Sequence, residues 1–336
     1  MGRIPLDYLL RRLGIWLLTV LVAATVIWII PRLAPGDPIE AIVGDMASAG
    51  ANVEGADTII AAYRERFGLD DPIHIQYIKY LGSLVRFDLG VSISSFPTPV
   101  SGIITRALPW TVGLLVLAMT ITFFLGNFLG AIMVWARTPR LFKYLIPFAM
   151  LFTSIPTILS ALFLLYIFAF TFNLFPAQNA YELGVTPGLN LDFILSVIKH
   201  GTLPALSIIL VSFGYWALGM RGMMITVQGE DYVQLARAKG LKPMYILYRY
   251  MVRNAILPQI TAFAITLGTL VSGQVLVERV FNYQGMGYVI FTAILARDFP
   301  VIQGTSFIII LMTATAVLIV DLIYPFIDPR VSQGNA

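Results

Sequence analysis

Six long apolar runs dominate the chain: approximately Leu13 to Ile30, Trp110 to Trp135, Leu145 to Phe172, Leu203 to Met220, Ile256 to Val277 and Phe307 to Ile327. A hydrocarbon core of roughly 30 Å is crossed by about 20 helical residues, so each run has the length of a membrane span. Backbone amides in lipid find no water to bond, which leaves the helix as the form such runs take. Of the 336 residues 58% are hydrophobic and only 12% charged, whereas a soluble domain carries about a quarter charged residues. The expected fold is an all-α membrane protein with about six transmembrane helices.

The first run follows Arg11 and Arg12, as a signal peptide would, but it exceeds the usual apolar length and ends Ile29-Ile30-Pro31-Arg32 without the small residues of a cleavage site. It reads as a retained anchor. With the N-terminus placed in the cytoplasm, 13 of the 22 Lys and Arg residues fall on the inner side, in segments 1–12, 137–143 and 221–253 and at Arg330. The outer side takes 13 of the 18 acids. That asymmetry follows the positive-inside rule and puts both termini in the cytoplasm. It also accounts for the net charge of +4 without nucleic acid, since the basic residues lie in short loops rather than one patch. The chain divides into residues 1–30, the inner tail and first span; 31–109, an outer segment; 110–327, a core of five spans with an inner loop at 221–255; and 328–336, an inner tail. Within the outer segment, Pro35-Gly36-Asp37-Pro38 signals a turn and Thr58 to Phe67 reads as a helix, so a small structured cap is expected.

Gly126 and Gly130 form a GxxxG pair, and Ala264, Gly268 and Ser272 place a small residue at every fourth position of the fifth span. Such faces let helix backbones approach closely, within a chain or between chains. Pro147 and Pro156 interrupt the third span, with Thr153, Ser154 and Thr157 nearby to satisfy freed carbonyls, and a kink is expected there. Ionisable residues are nearly absent from the spans: Asp321 falls near the inner end of the sixth and Glu278 just beyond the fifth. This argues against a proton-coupled carrier or a charge-ringed pore. Asn127, Thr153, Ser212, Tyr215, Thr269 and Gln274 are polar groups in spans, candidates either for lining a pathway or for helix-packing contacts.

Chemistry has little to work with. There is no cysteine, His74 and His200 both lie outside the spans, and no HExxH or GxSxG motif occurs. No catalytic residue, metal site or bound cofactor is expected. No GxxxxGK[ST] phosphate loop occurs either, so energy from ATP has to come through a partner.

The loop between the fourth and fifth spans is patterned. Asp231, Tyr232, Val233, Gln234, Leu235, Ala236, Arg237, Ala238 and Lys239 read as a short helix that Asp231 can cap. Gly240 supplies a helix-ending residue that tolerates positive φ, and after Leu241 and Lys242, Pro243 can open a second helix. Arg249 and Arg253 sit toward that helix's end, where the dipole favours cations. The pattern fits a compact docking knob, or an ordinary basic inner loop.

Asp231-Tyr232-Val233, Ala236-Arg237-Ala238-Lys239-Gly240-Leu241 and Arg253-Asn254-Ala255-Ile256-Leu257-Pro258 resemble the EAA loop of ABC importer permeases, in the form carried by the peptide and nickel permease family. Gln234-Leu235-Ala236 stands where the general motif has Glu-Ala-Ala, a departure usual in that branch. The resemblance runs along nearly the whole chain: Arg32 to Pro38, Phe67 to Pro72, Asp88 to Ser92, Glu278-Arg279-Val280-Phe281, Gly285-Met286-Gly287, Ala296 to Pro300 and Asp321 to Tyr324 all look like the family's segments. Gln284 departs, standing where the family commonly has proline.

The resemblance implies a permease whose five C-terminal spans form the transport core in a prokaryotic inner membrane. It implies a second, similar permease chain as partner, two cytoplasmic ATPase subunits that use ATP and Mg and receive the loop at Asp231 to Lys242, and an extracytoplasmic binding protein that delivers cargo. Peptides are the commonest cargo of such relatives, with oligosaccharides and nickel chelates as alternatives. A channel or ion-coupled carrier acting alone, or a membrane enzyme, are the readings from other classes; co-purification with ATPase chains separates an importer from both.

Overall fold

In a computed structural model, the structure describes residues 6–33, 71–135, 144–269 and 274–327. Its described residues form helices α1 (Leu6–Leu33), α2 (Ile73–Val85), α3 (Val100–Val134), α4 (Leu145–Thr153), α5 (Thr157–Thr171), α6 (Leu191–Gln228) and α7 (Asp231–Ala238). Pro243–Tyr245, a π-helical stretch Ile246–Val252 and Arg253–Thr269 then run on as one helix, α8. Three more follow: α9 (Val275–Val280), α10 (Met286–Leu295) and α11 (Phe299–Ile327).

Four of these, α1, α3, α6 and α11, are long and apolar enough to cross a membrane, and the bent pair α4 and α5 makes up to five. The apolar part of α8, Arg253–Thr269, has 17 residues. The long helices exceed the apolar runs because hydropathy marks only the part that lipid surrounds. Thus the helix that holds the second run starts at Val100, before Trp110, and Pro109 lies inside α3. Pro204 likewise sits inside α6, which extends from Leu191 to Gln228 rather than from Leu203 to Met220. A proline inside a helix costs one backbone bond, which neighbouring helices and hydroxyls can offset in a bundle.

Two spans depart further from expectation. At Ser154 to Pro156 the third span does not merely kink: α4 and α5 meet at 104°. Pro156 lacks an N–H and takes φ −56°, ψ 137°, which ends one helix and caps the next. The fifth run also breaks, since Val277 belongs to the separate short helix α9 and not to α8.

The central contact is α3 along α6. Here Gly126 and Gly130 act within the chain: a β-carbon on Gly126 would sit 2.5 Å from Trp216 Cβ, and one on Gly130 would sit 2.8 Å from Met220 Cβ. The pairing of 126 with 213–217 and of 130 with 217–220 shows that the two helices run parallel. Gly214 plays the same part toward α4, where a side chain would strike the Ala149 carbonyl and Thr153. In lipid, where apolar surface gives no drive for association, such close approach supplies the dispersion contact that holds helices together. Of the small-residue repeat on the fifth span, Ser272 lies outside the described residues.

Helix α1 packs antiparallel on α11. Tyr8 donates to the Asp321 carbonyl at 2.9 Å, Arg12 pairs with the Asp321 carboxylate at 2.9 Å, and Trp16 donates to Thr315 at 3.1 Å. Asp321 is therefore tied to the first span. The expected turn at 35–38 and helix at 58–67, like the tail 328–336, lie outside the described residues.

Candidate functional site: the α7 loop and the cavity beside α6

The α6 helix stops at Gln228, and Gly229 and Glu230 turn the chain into α7. Glu230, not Asp231, is the N-cap; its carbonyl accepts from the amides of Val233 (3.0 Å) and Gln234 (3.2 Å). Asp231 is instead the first helical residue, where its charge still favours the positive end of the helix.

The end of α7 is a Schellman closure. Gly240 takes φ +68°, its amide donates to the Arg237 carbonyl at 2.9 Å, and the Leu241 amide reaches the Ala236 carbonyl at 3.3 Å. Nothing lies within 4 Å of where a Gly240 β-carbon would be, so glycine is needed for the backbone conformation and not for room. Lys242 caps the next helix and Pro243 occupies its first turn, where a missing N–H is harmless. Because α8 then continues through Ile246–Val252 to Thr269, the knob joins the fifth span without a hinge loop.

Helical spacing divides α7 into two faces. Val233 and Ala236 are buried against Met220 and Met224 of α6 and Ile246, Leu247 and Met251 of α8. The opposite face is open: Asp231, Tyr232, Gln234, Leu235, Arg237, Ala238, Lys239, Gly240 and Lys242 are exposed, while Leu241 is half-buried against the same cluster. Ala236, one of the expected loop residues, therefore seats the helix rather than facing outward. Leu235 is 56% exposed, and Met244, Tyr245 and Tyr248 at the start of α8 are exposed as well. Partial burial, and then Glu230, raise the Tyr232 phenol above its ordinary range, and its hydroxyl faces Asn254 of α8. No ion pair involves Arg237, Lys239 or Lys242 among the described residues.

Three of the six polar span residues share one place. Thr153, Ser212 and Tyr215 line a cavity of about 570 Å³ with Met119, Trp216, Gly219 and Thr266. Tyr215 is 62% exposed. Asn127 is not there: it is buried, and its amide donates to its own helix at the Phe123 carbonyl, 2.8 Å. Gln274 precedes α9 and is not among the lining residues, and the Thr269 side chain lies outside the described residues.

This molecule is an assembly of helices with an open cavity along α6 and an exposed, partly apolar knob built on α7. The description "binding-protein-dependent transport system inner membrane component" matches residues 126–333, which take in α4 through α11 and the C-terminal end of α6's partner α3. The chain belongs to that family. Relatives match over nearly the full length of this permease and of themselves. One, named as a peptide permease of Brucella suis biovar 1, is 34% identical over 97% of this chain and 99% of its own. Another, named as a peptide ABC transporter permease of Sinorhizobium fredii, is 30% identical over 96% and 98%. A third, named as a D,D-dipeptide transport system permease of Escherichia coli K12, is 32% identical over 95% and 96%. The permease is thus a multi-pass membrane component of a transport system that works with a binding protein.

Two carboxylates have partners that the sequence did not reveal: Glu278, expected only to lie just beyond the fifth span, and Asp298 are both buried. Ser92 Oγ (2.5 Å), Ser94 N (3.0 Å) and Ser94 Oγ (2.7 Å) donate to Asp298 Oδ2, and Val301 N at the start of α11 reaches Oδ1 at 3.3 Å. Their one visible signal was that both lie in segments resembling the family, at Glu278 to Phe281 and Ala296 to Pro300.

Proposed function

We propose that this permease imports peptides, delivered by an extracytoplasmic binding protein, and that two cytoplasmic ATPase subunits drive it through the exposed face of α7. One observation carries the coupling role. An eight-residue helix, seated by only Val233 and Ala236, presents Leu235 and Tyr232 among Arg237, Lys239 and Lys242. An exposed apolar residue ringed by charge is the usual anatomy of a protein contact, with an apolar centre and a polar rim. Since α6 leads into α7 and α8 leads out of it toward the fifth span, a push on α7 acts on two membrane helices at once.

The peptide assignment rests on the names of the relatives. The cavity at Thr153, Ser212 and Tyr215 suits such a cargo, since a peptide offers amides to hydroxyls and side chains to an apolar wall. A second, similar permease chain would close the open side of that cavity. Both termini and the α7 loop face the cytoplasm in this reading, by the distribution of basic residues. ATP and Mg are bound by the ATPase partners.

The test combines topology and coupling. The chain contains no native cysteine, so Ser83→Cys and Gln234→Cys each provide one label site. An impermeant reagent is expected to reach them from opposite sides of the membrane. The isolated chain is expected to hydrolyse no ATP, and vesicles holding the chain with its ATPases, second permease and binding protein to take up peptide only when ATP is present. Labelling of both cysteines from one side contradicts the orientation; peptide uptake without ATP contradicts the mechanism.

A further inference from the structure

The α9–α10 hairpin follows the fifth span and holds a carboxylate that no cation accompanies among the described residues. Glu278 on α9 is 0% exposed. Its partners are neutral donors. Thr111 of α3 donates to Oε1 at 2.7 Å, the Tyr288 amide donates to Oε2 at 3.1 Å, and the Gly287 amide also bonds the carboxylate. Met286 N completes the set by donating to Thr111 Oγ1 at 2.7 Å.

Those amides are the first three of α10, a helix of ten residues. A helix start leaves its first N–H groups without partners inside the helix, and a cap residue normally supplies one. The N-cap of α10 is Gly285, which has no side chain to give. Its backbone does not require glycine, since φ −92° and ψ −175° suit any residue. Room does: a β-carbon there would overlap both the Glu278 carboxylate and the Thr111 hydroxyl. A side chain on Gly287 would likewise strike Val275 Cα at 2.6 Å and Glu278 Oε2 at 3.0 Å. Cap duty has passed from Gly285 to Glu278 and to Thr111, a residue 175 positions away from Met286 on another helix. The positive end of α10 faces the carboxyl group, so a hydroxyl and backbone amides stand where Lys or Arg would otherwise be its partners.

We infer that Glu278 is a positioning residue for transport: with Thr111 it caps α10 from outside that helix and makes the hairpin move with α3 as one body. Helix α3 in turn lies along α6, whose far end enters the α7 knob, so the hairpin answers to the same motion as the knob. The inference rests on the transport reading for its role in the cycle, but the linkage itself is read as a distance, independently of peptide import.

Nitroxide labels on Thr105→Cys in α3 and Leu295→Cys in α10, both exposed, report the distance between the two bodies by pulsed electron resonance. In the assembled complex the distance is expected to be the same without nucleotide and with ATP trapped. Glu278→Gln can keep these contacts, its oxygen toward the Gly287 and Tyr288 N–H groups and its amide toward Thr111 Oγ1, and is expected to leave the distance unchanged and peptide import within about twofold of the parent. Glu278→Leu removes both acceptors: the distance should spread even without nucleotide, and import should fall roughly tenfold or more while ATP hydrolysis falls less, so more ATP is used per peptide. A distance that shifts with nucleotide in the parent, or an unchanged distance in Glu278→Leu, overturns the inference. Should Glu278→Leu fail to assemble, the parent's distance in the two nucleotide states decides alone. Failure of the transport reading would be seen separately, as a parent complex that imports no peptide.

Discussion

At the knob end of the bundle, helix α7 is closed by its own chain: Gly240 and Leu241 donate back to Arg237 and Ala236, at most five residues away. At the hairpin end, α10 is capped by Thr111, 175 positions back, and the start of α11 carries Asp298, which grips Ser92 across 206 positions. A local closure leaves its outer face free, and α7 uses that freedom to expose Leu235 and its basic neighbours. Distant closures bury their polar groups and bind separate segments into one block. The difference suits the roles proposed for the two ends, one receiving a partner and the other keeping shape while the spans move.

The largest expected effect comes from breaking a distant closure. Asp298→Ala leaves Ser92, Ser94 and Val301 without their acceptor, and bonds to a charged group contribute about 1.5–3 kcal/mol each. Limited proteolysis should then cut within residues 86–99 while α7 stays protected. Cleavage in both places would mean that the ends are not independent.

A smaller loss is expected where the knob is seated. Val233 is fully buried, and Val233→Ala removes two methyl groups from the cluster with Met224 and Met251, roughly 1–2 kcal/mol with the cavity left behind. Hydrogen exchange should rise in α7 and not in α10. Smaller still is Pro243→Ala, which changes a first-turn residue that makes no amide bond; under about 1 kcal/mol is expected, with ATPase stimulation close to the parent's. A large defect from Pro243→Ala would show that the second loop helix, and not the Gly240 closure, sets the knob's position.

The same contrast explains what could be seen in the sequence. Gly240, Pro243 and the helix between Asp231 and Ala238 are local matters of propensity, capping and positive φ, so their placement follows from neighbours in the chain. The six apolar runs were legible because lipid imposes a length. Their ends were not, since Pro109 and Pro204 break local rules that packing overrides. Glu278 and Asp298 were invisible as buried groups because nothing near them in sequence names Thr111 or Ser92 as the partner. The candidate pathway fared in between: Thr153, Ser212 and Tyr215 converge because Gly214 lets α4 approach α6, whereas Asn127 turns to its own helix.

The most direct test of the coupling role is Gly240→Val in the full complex reconstituted in vesicles. A β-branched residue in the left-handed region is strained by roughly 1–2 kcal/mol, enough to reopen the last turn of α7 but too little to unfold the spans. The variant should insert and pair with its partners as the parent does, yet lose most ATP-driven peptide uptake together with substrate-stimulated hydrolysis. Uptake and stimulation equal to the parent's, with valine at position 240, would contradict the assignment of α7 as the coupling element.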